Sequence, residues 1–158
     1  PAEWAMPYTE VQRRIAGPEL AGDDAAYVLP VLLTGAAGQS TMLVSVHLPP
    51  GTDKEAVAQR TRLRGFLRKL VDACKAAGIH RVLVGGDWNC PTRGELRRVF
   101  GDAGLRPLGD WQTPTRYETT AKRPTRLDGW AVAGLGIDAE AGGRGRAPRV
   151  CAGGAGQH

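Results

Sequence analysis

From Ala26 onward the apolar positions fall into a readable order. The runs "AYVLPVLLTG" and "STMLVSVHL" are rich in β-branched and aliphatic residues and read as two strands. Between them "GAAGQ" offers the glycines of a hairpin connection. Pro30 has no N–H to donate, so the first run suits an edge strand or a bulge. After Pro49-Pro50 the period changes. Leu63, Phe66, Leu67, Leu70, Val71, Cys74 and Ala77 make one stripe at helical spacing, which predicts a long amphipathic helix. Thr52 and Glu55 read as its capping box and Gly78 as its left-handed stop. Arg60, Arg62, Arg64, Arg68 and Lys69 fall largely outside the stripe and read as a solvated face in preference to a nucleic-acid groove.

A second apolar run, "RVLVGG", predicts a core strand with Asp87 to Asn89 at its C-terminal end. Thr92 with Glu95 forms another capping-box pattern, opening a short helix whose apolar positions are Leu96, Val99, Phe100 and Ala103. "RLDGWAVAGL" reads as a further strand with an aspartate near its start. Three regions are less patterned. The first 26 residues suggest a helical turn around Glu10 to Ile15, and "GLRPLGDWQTPTRYETTAKRPT" is loop with short extended pieces. The Gly-rich tail holds one strand candidate around Arg149 to Ala152. Alternation of strand and helix patterns puts the chain in the α/β class.

The chain's 158 residues fit one domain, and 42% apolar with 23% charged residues is the composition of an ordinary globular protein. No apolar run approaches the roughly 18 residues of a membrane span, and no secretory leader pattern is visible. The first residue is Pro1, so the natural start is expected upstream. Cys74, Cys90 and Cys151 lie far apart with no CxxC or Cys/His cluster, which argues against zinc and against a disulfide framework. Free thiols favour a reducing, cytoplasmic setting. A net charge of +5 permits an anionic partner such as nucleic acid or another phosphate ester.

Candidate chemistry gathers at strand ends. Positions two apart in a strand share a side, so Asp87 and Asn89 are expected to project together while Trp88 packs the other way. An anion beside a neutral amide suits a hard cation or a phosphoryl oxygen better than zinc. The same residues are also ordinary turn formers ahead of Cys90-Pro91. His47 closes its strand in like manner, as a structural histidine or a base, and Asp128 is a third polar residue in an apolar neighbourhood. If the three strands share a sheet, these residues converge at one rim, where a carboxylate would orient the imidazole and favour its protonated form. A Rossmann-type nucleotide site is a poor reading, because no G-x-G-x-x-G follows "VLVGG".

"MLVSVHLPPG", the long helix, "RVLVGGDWNCPT", the loop "WQTPTRYE" and "RLDGWAV" follow one another in an order that resembles the endonuclease/exonuclease/phosphatase family, the deoxyribonuclease-I-like superfamily. Its hallmark Gly-Asp-hydrophobic-Asn corresponds to Gly86-Asp87-Trp88-Asn89. The resemblance implies a four-layer α/β sandwich, two mixed sheets flanked by helices, and phosphate-ester cleavage assisted by Mg²⁺ or Mn²⁺. It implies that His47 contacts the scissile phosphate or moves a proton, that Asp87 orients or deprotonates the attacking water, and that Asn89 holds a phosphate oxygen or the metal shell. It sets Asp87 and Asn89 as metal residues, with Asp128 near the metal or supporting a catalytic histidine. Arg116, Lys122, Arg123 and Arg126 could then hold phosphates, Arg116 and Arg126 foremost.

The chain also departs from that family. No block supplies its early asparagine-bearing strand or its metal-binding glutamate, and Glu3, Glu10 and Glu19 sit in unpatterned sequence. The tail "AGGAGQH" stops where a Ser-Asp-His segment would begin, so His158 is the candidate for the terminal catalytic histidine, with Gln157 in the aspartate's place. Residues 1–158 are therefore expected to be the C-terminal part of a single domain of this type, cut at both ends. Two functions follow. One is a nuclease or other phosphodiesterase using an activated water. The alternative is a catalytically incomplete module that binds nucleic acid or protein.

Overall fold

The computed structural model of the chain describes residues 5–6, 8–20, 22–35, 38–90, 93–108 and 128–134. Strands β1 (Ala5–Met6), β2 (Val28–Thr34), β3 (Ser40–His47), β4 (Arg81–Asp87), β5 (Arg106–Leu108) and β6 (Asp128–Ala133) join in one six-stranded mixed sheet, in the order β1-β2-β3-β4-β6-β5. Helices α1 (Tyr8–Ile15), α2 (Lys54–Ala76) and α3 (Arg93–Ala103) complete the described structure, with a 3₁₀ turn at Gly22–Ala26.

The hairpin forms as its pattern requires, with β2 antiparallel to β3 from Val28↔Val46 to Thr34↔Ser40. Pro30 is tolerated because β1 covers only Leu32 and Leu33 of β2, and among the described residues no strand pairs with Pro30 on that edge. From β3 the chain crosses through α2 and returns as β4, parallel to β3 and in register from Thr41↔Arg81 to His47↔Asp87. Strand β6 lies antiparallel between β4 and β5.

Alternation along the strands gives the sheet two unlike faces. Val28, Leu32, Met42, Val44, Val46, Val82, Val84, Ala131 and Ala133 are buried against the helices. Leu63, Phe66, Leu67, Leu70, Val71 and Cys74 of α2, Val11 and Ile15 of α1, and Val99, Phe100 and Ala103 of α3 join them in one core cluster, whereas Ala77, expected in the stripe, is exposed at the C-cap of α2. Each fully buried Val or Leu here contributes roughly 1.5–3 kcal/mol relative to exposure. The other face is more open, with Leu29 61% and Trp130 46% exposed. The α/β class and mixed sheet are as expected. Of the four layers anticipated, the described residues form one sheet and one helical layer.

Three local expectations need correction. The cap of α2 is Asp53, whose carboxylate accepts from the Ala56 amide, and not the Thr52/Glu55 box. A carboxylate satisfies the same free donor and also meets the positive end of the helix dipole. Helix α1 runs for 8 residues, longer than one turn. Arg60, expected on a solvated face, is 1% exposed. The stop at Gly78 is as predicted, with φ +74 and the Ile79 amide donating to the Cys74 carbonyl. The strand candidate at Arg149 to Ala152 and the cap residue Thr92 lie outside the described residues.

Burial pushes the Cys74 thiol up to about 11. Burial, with the Glu95 charge adding to it, pushes Cys90 to about 12. Because both folded values lie above the ordinary thiol value, the unfolded chain ionises first. Stability present at neutral pH is therefore lost as pH rises from the ordinary thiol range toward 11–12. The thiolate is the reactive species. Native protein at pH 8 should leave Cys74 and Cys90 unlabelled by a maleimide, with full labelling in denaturant, as read by peptide mass spectrometry. Rapid labelling of either cysteine in the native state would contradict this packing.

Candidate active site

Three adjacent strands end on one row. The in-register pairs His47↔Asp87 and Asp87↔Asp128 set a histidine and two aspartates side by side across β3, β4 and β6. Their parity matches Leu43, Leu83 and Trp130, so the row lies on the open face, away from the helices. His47 Nδ1 stands 3.9 Å from Asp87 Oδ2, an electrostatic neighbour beyond hydrogen-bond length, with side chains 64% and 26% exposed. Tyr27 extends the row. Its carbonyl accepts from the His47 amide, and its ring lies near-parallel to the imidazole with centroids 6.5 Å apart.

The β3–β4 ladder continues past the strand end, because the Leu48 amide donates to the Asp87 carbonyl at 2.8 Å. Asn89 Nδ2 donates to the Leu48 carbonyl at 2.8 Å, stitching the same two loops together. The Asn89 amide donates to Asp87 Oδ1 at 2.9 Å, so one carboxylate oxygen is fixed by backbone. Asp87 and Asn89 do come together, although not by strand alternation as expected. The strand stops at Asp87, and Asn89 adopts φ +41, a left-handed turn conformation that asparagine tolerates. Trp88 packs the opposite way as anticipated. It is fully buried, edge-on to Phe100, with its indole N–H donating to the Gly129 carbonyl.

The paired glycines of "LVGGDWN" serve this geometry. Gly86 has φ +138, and a Cβ there would overlap the Val46 carbonyl oxygen. At Gly85 a Cβ would run into the Trp130 ring, which lies across it. A shallow hollow of about 280 Å³ adjoins the row, lined by Ser45, Gly85, Gly86, Asp128 and Trp130 among others.

Among the described residues no group of three or more His, Cys, Asp or Glu side chains is gathered closely enough to hold a metal ion. Asp87 and Asp128, opposite each other across the β4–β6 pair, are hard oxygen donors. They fit the manner of Mg²⁺, which is commonly held by one or two carboxylates with water and substrate phosphate completing its shell. Asn89 enters through the turn that holds Asp87, its amide nitrogen being engaged on Leu48. Arg116, Lys122, Arg123, Arg126 and His158 lie outside the described residues.

Sequence reasoning missed Tyr27, which heads the first strand run without being singled out, and the pairing of Arg60 with Glu95. A signal for Arg60 existed. Read backward from Leu63, the buried stripe of α2 continues through Arg60 to Ala56.

No protein-family model matches the chain, and no curated protein matches it in sequence. Solved structures do match. A truncated TDP2 of Caenorhabditis elegans aligns with TM-score 0.50 at 21% identity, over 68% of this chain and 46% of that one. The human Nocturnin catalytic domain with bound sulfate anion aligns with TM-score 0.48 at 20% identity, over 67% and 40%. The endonuclease domain of TRAS1, a telomere-specific non-LTR retrotransposon, aligns with TM-score 0.47 at 16% identity, over 82% and 55%. The chain spans about half the length of these structures or less. At such identities the likeness concerns fold, and it is carried by the TDP2 match. The described residues share the α/β fold of part of that structure.

Replacing Asn89 by Ala removes the Leu48 bond and leaves a Cβ residue at positive φ, at an expected cost of about 1–3 kcal/mol. Asn89→Gly, which relieves only the backbone share, should cost less. Urea unfolding of the two variants checks the order, and equal stability of Asn89→Ala and the parent would contradict the assigned turn.

Proposed function

We propose that the chain derives from a metal-dependent phosphoesterase, a nuclease or other phosphodiesterase in preference to a phosphomonoesterase. The observation that carries the reading is the in-register row of His47, Asp87 and Asp128 at the end of three adjacent strands. The shared fold and the Gly86-Asp87-Trp88-Asn89 strand end support it.

Each residue has chemistry suited to the role. Asp87, with one oxygen held by the Asn89 amide, aims the other toward the His47 side of the row. From there it orients a water for in-line attack on phosphorus and accepts the proton that the water loses. His47, two-thirds exposed, can reach a phosphate oxygen and in its protonated form supplies a proton to the departing oxygen. Asp128 adds the second carboxylate. Mg²⁺ or Mn²⁺, when bound at these oxygens, would neutralise the charge with which a phosphodiester repels its nucleophile. Arg116 and Arg126, and His158 at the tail, remain part of the proposal as phosphate contacts and terminal histidine.

A cleavage assay tests this on plasmid DNA and on a generic aryl phosphodiester, with the chain in its full reading frame and Mg²⁺ present or chelated. Cleavage should require the metal, and Asp87→Asn and His47→Ala should each lower kcat/KM by about 10²- to 10⁴-fold without unfolding the protein. Undiminished cleavage by folded Asp87→Asn would sink the assignment. Tight nucleic-acid binding without cleavage would favour the incomplete binding module of the same fold.

A further inference from the structure

We propose that Arg60 is a positioning residue, a buried clamp that sets the spacing between His47 and Asp87. The inference rests on the phosphoesterase reading for its kinetic consequence but not for its geometry. Among the described residues Arg60 is the buried charged side chain, at 1% exposure. A guanidinium stays protonated and is unfavourable away from water unless its N–H groups and its charge are all matched. Here the charge and the N–H groups of Nε and Nη1 are matched by two carbonyls of the loop after His47 and by a carboxylate at the start of α3. Nη1 donates to the Pro49 and Gly51 carbonyls, both at 2.8 Å, and Nε donates to Glu95 Oε1 at 3.1 Å.

Those contacts are not neighbours in the chain. Pro49 and Gly51 belong to the loop that leaves β3 directly after His47. Glu95 stands in the first turn of α3, just beyond the Asp87-to-Asn89 turn. One planar group therefore ties the segment following the histidine to the segment following the aspartate. The Asn89-to-Leu48 and Leu48-to-Asp87 bonds cross between the same segments. Together they form a closed brace: Arg60 behind the rim, the strand row in front. Arg64, with Nη2 3.9 Å from the same Glu95 oxygen, adds a second positive charge that keeps Glu95 in place.

The shape of the group matters beyond its charge. Lysine has three donors around a point, whereas the fork of arginine directs Nη1 and Nε to separate partners at once. A residue that only filled core volume could be replaced by methionine with the site unmoved. A clamp could not, since loss of the two carbonyl contacts frees the loop that leaves β3 directly after His47. Displacing a reacting group by about 1 Å can cost on the order of 10²-fold in rate.

The test uses Arg60→Lys, Arg60→Met and Glu95→Gln in the full reading frame. Arg68→Ala serves as control, because Arg68 lies on the same helix and bonds Asp72 one turn further on, toward the far end of α2. The first readout is independent of activity: amide and imidazole NMR shifts of His47, Leu48, Asp87 and Asn89. These should move in all three variants and stay put in the control. The second is kinetic. Folded Arg60→Lys and Arg60→Met should lose about 10- to 100-fold in kcat with KM little changed, Arg60→Met the more. Unmoved shifts in a folded Arg60 variant, or a kcat equal to the parent's, would overturn the proposal. Should Arg60→Met fail to fold, Arg60→Lys and Glu95→Gln decide by the same criteria. If the parent itself does not hydrolyse phosphodiesters, the functional reading falls while the NMR shifts still judge the clamp.

Discussion

The candidate site depends on the parallel pairing of β3 with β4. Its register brings His47 level with Asp87, and the Leu48 amide carries the ladder one step further onto the Asp87 carbonyl. A slip of one residue would turn His47 or Asp87 toward the helices and bury a charge-bearing group in an apolar layer. The core guards against that slip. Met42, Val44 and Val46 on one strand and Val82 and Val84 on the other all seek the helix-covered face. Gly86 allows β3 and β4 to meet this closely at the rim, since any Cβ there would collide with Val46.

Much of this was legible in the sequence because it rests on short-range patterns. The hairpin, the α2 stripe, the Gly78 stop and the apolar strand ending at Asp87 are each read from residues within a few positions of one another. Convergence of His47, Asp87 and Asp128 at a rim was legible only conditionally, as it needs three strands to share a sheet. The misreadings have a common physical origin. Thr52 and Asp53 are both competent caps, and propensity does not say which of two neighbours will turn first. Asn89 was assigned to the strand, although an aspartate two residues earlier can capture its amide and end the strand. Arg60 was counted as surface because arginine usually is. Its burial depends on two carbonyls and a carboxylate from segments 9 to 35 residues away in sequence.

The second face of the sheet carries the remaining consequence of the fold. Trp130 lies across Gly85 beside the row, and Leu29, Leu43 and Leu83 share its side. Apolar side chains on that face therefore border the polar rim. Under the proposed function, the choice of phosphate ester is a matter of loops and not of fold.

The most direct test of the central claim, that the strand-end row is where a phosphate and its cation meet the protein, is an NMR titration. Mg²⁺ and inorganic phosphate, separately and together, would be added to ¹⁵N-labelled protein and to Asp87→Asn. The account predicts shifts concentrated at His47, Leu48, Asp87 to Asn89 and Asp128, larger with both additions than with either alone, and lost in the variant. Shifts centred on the exposed arginines of α2, or unchanged by Asp87→Asn, would contradict it.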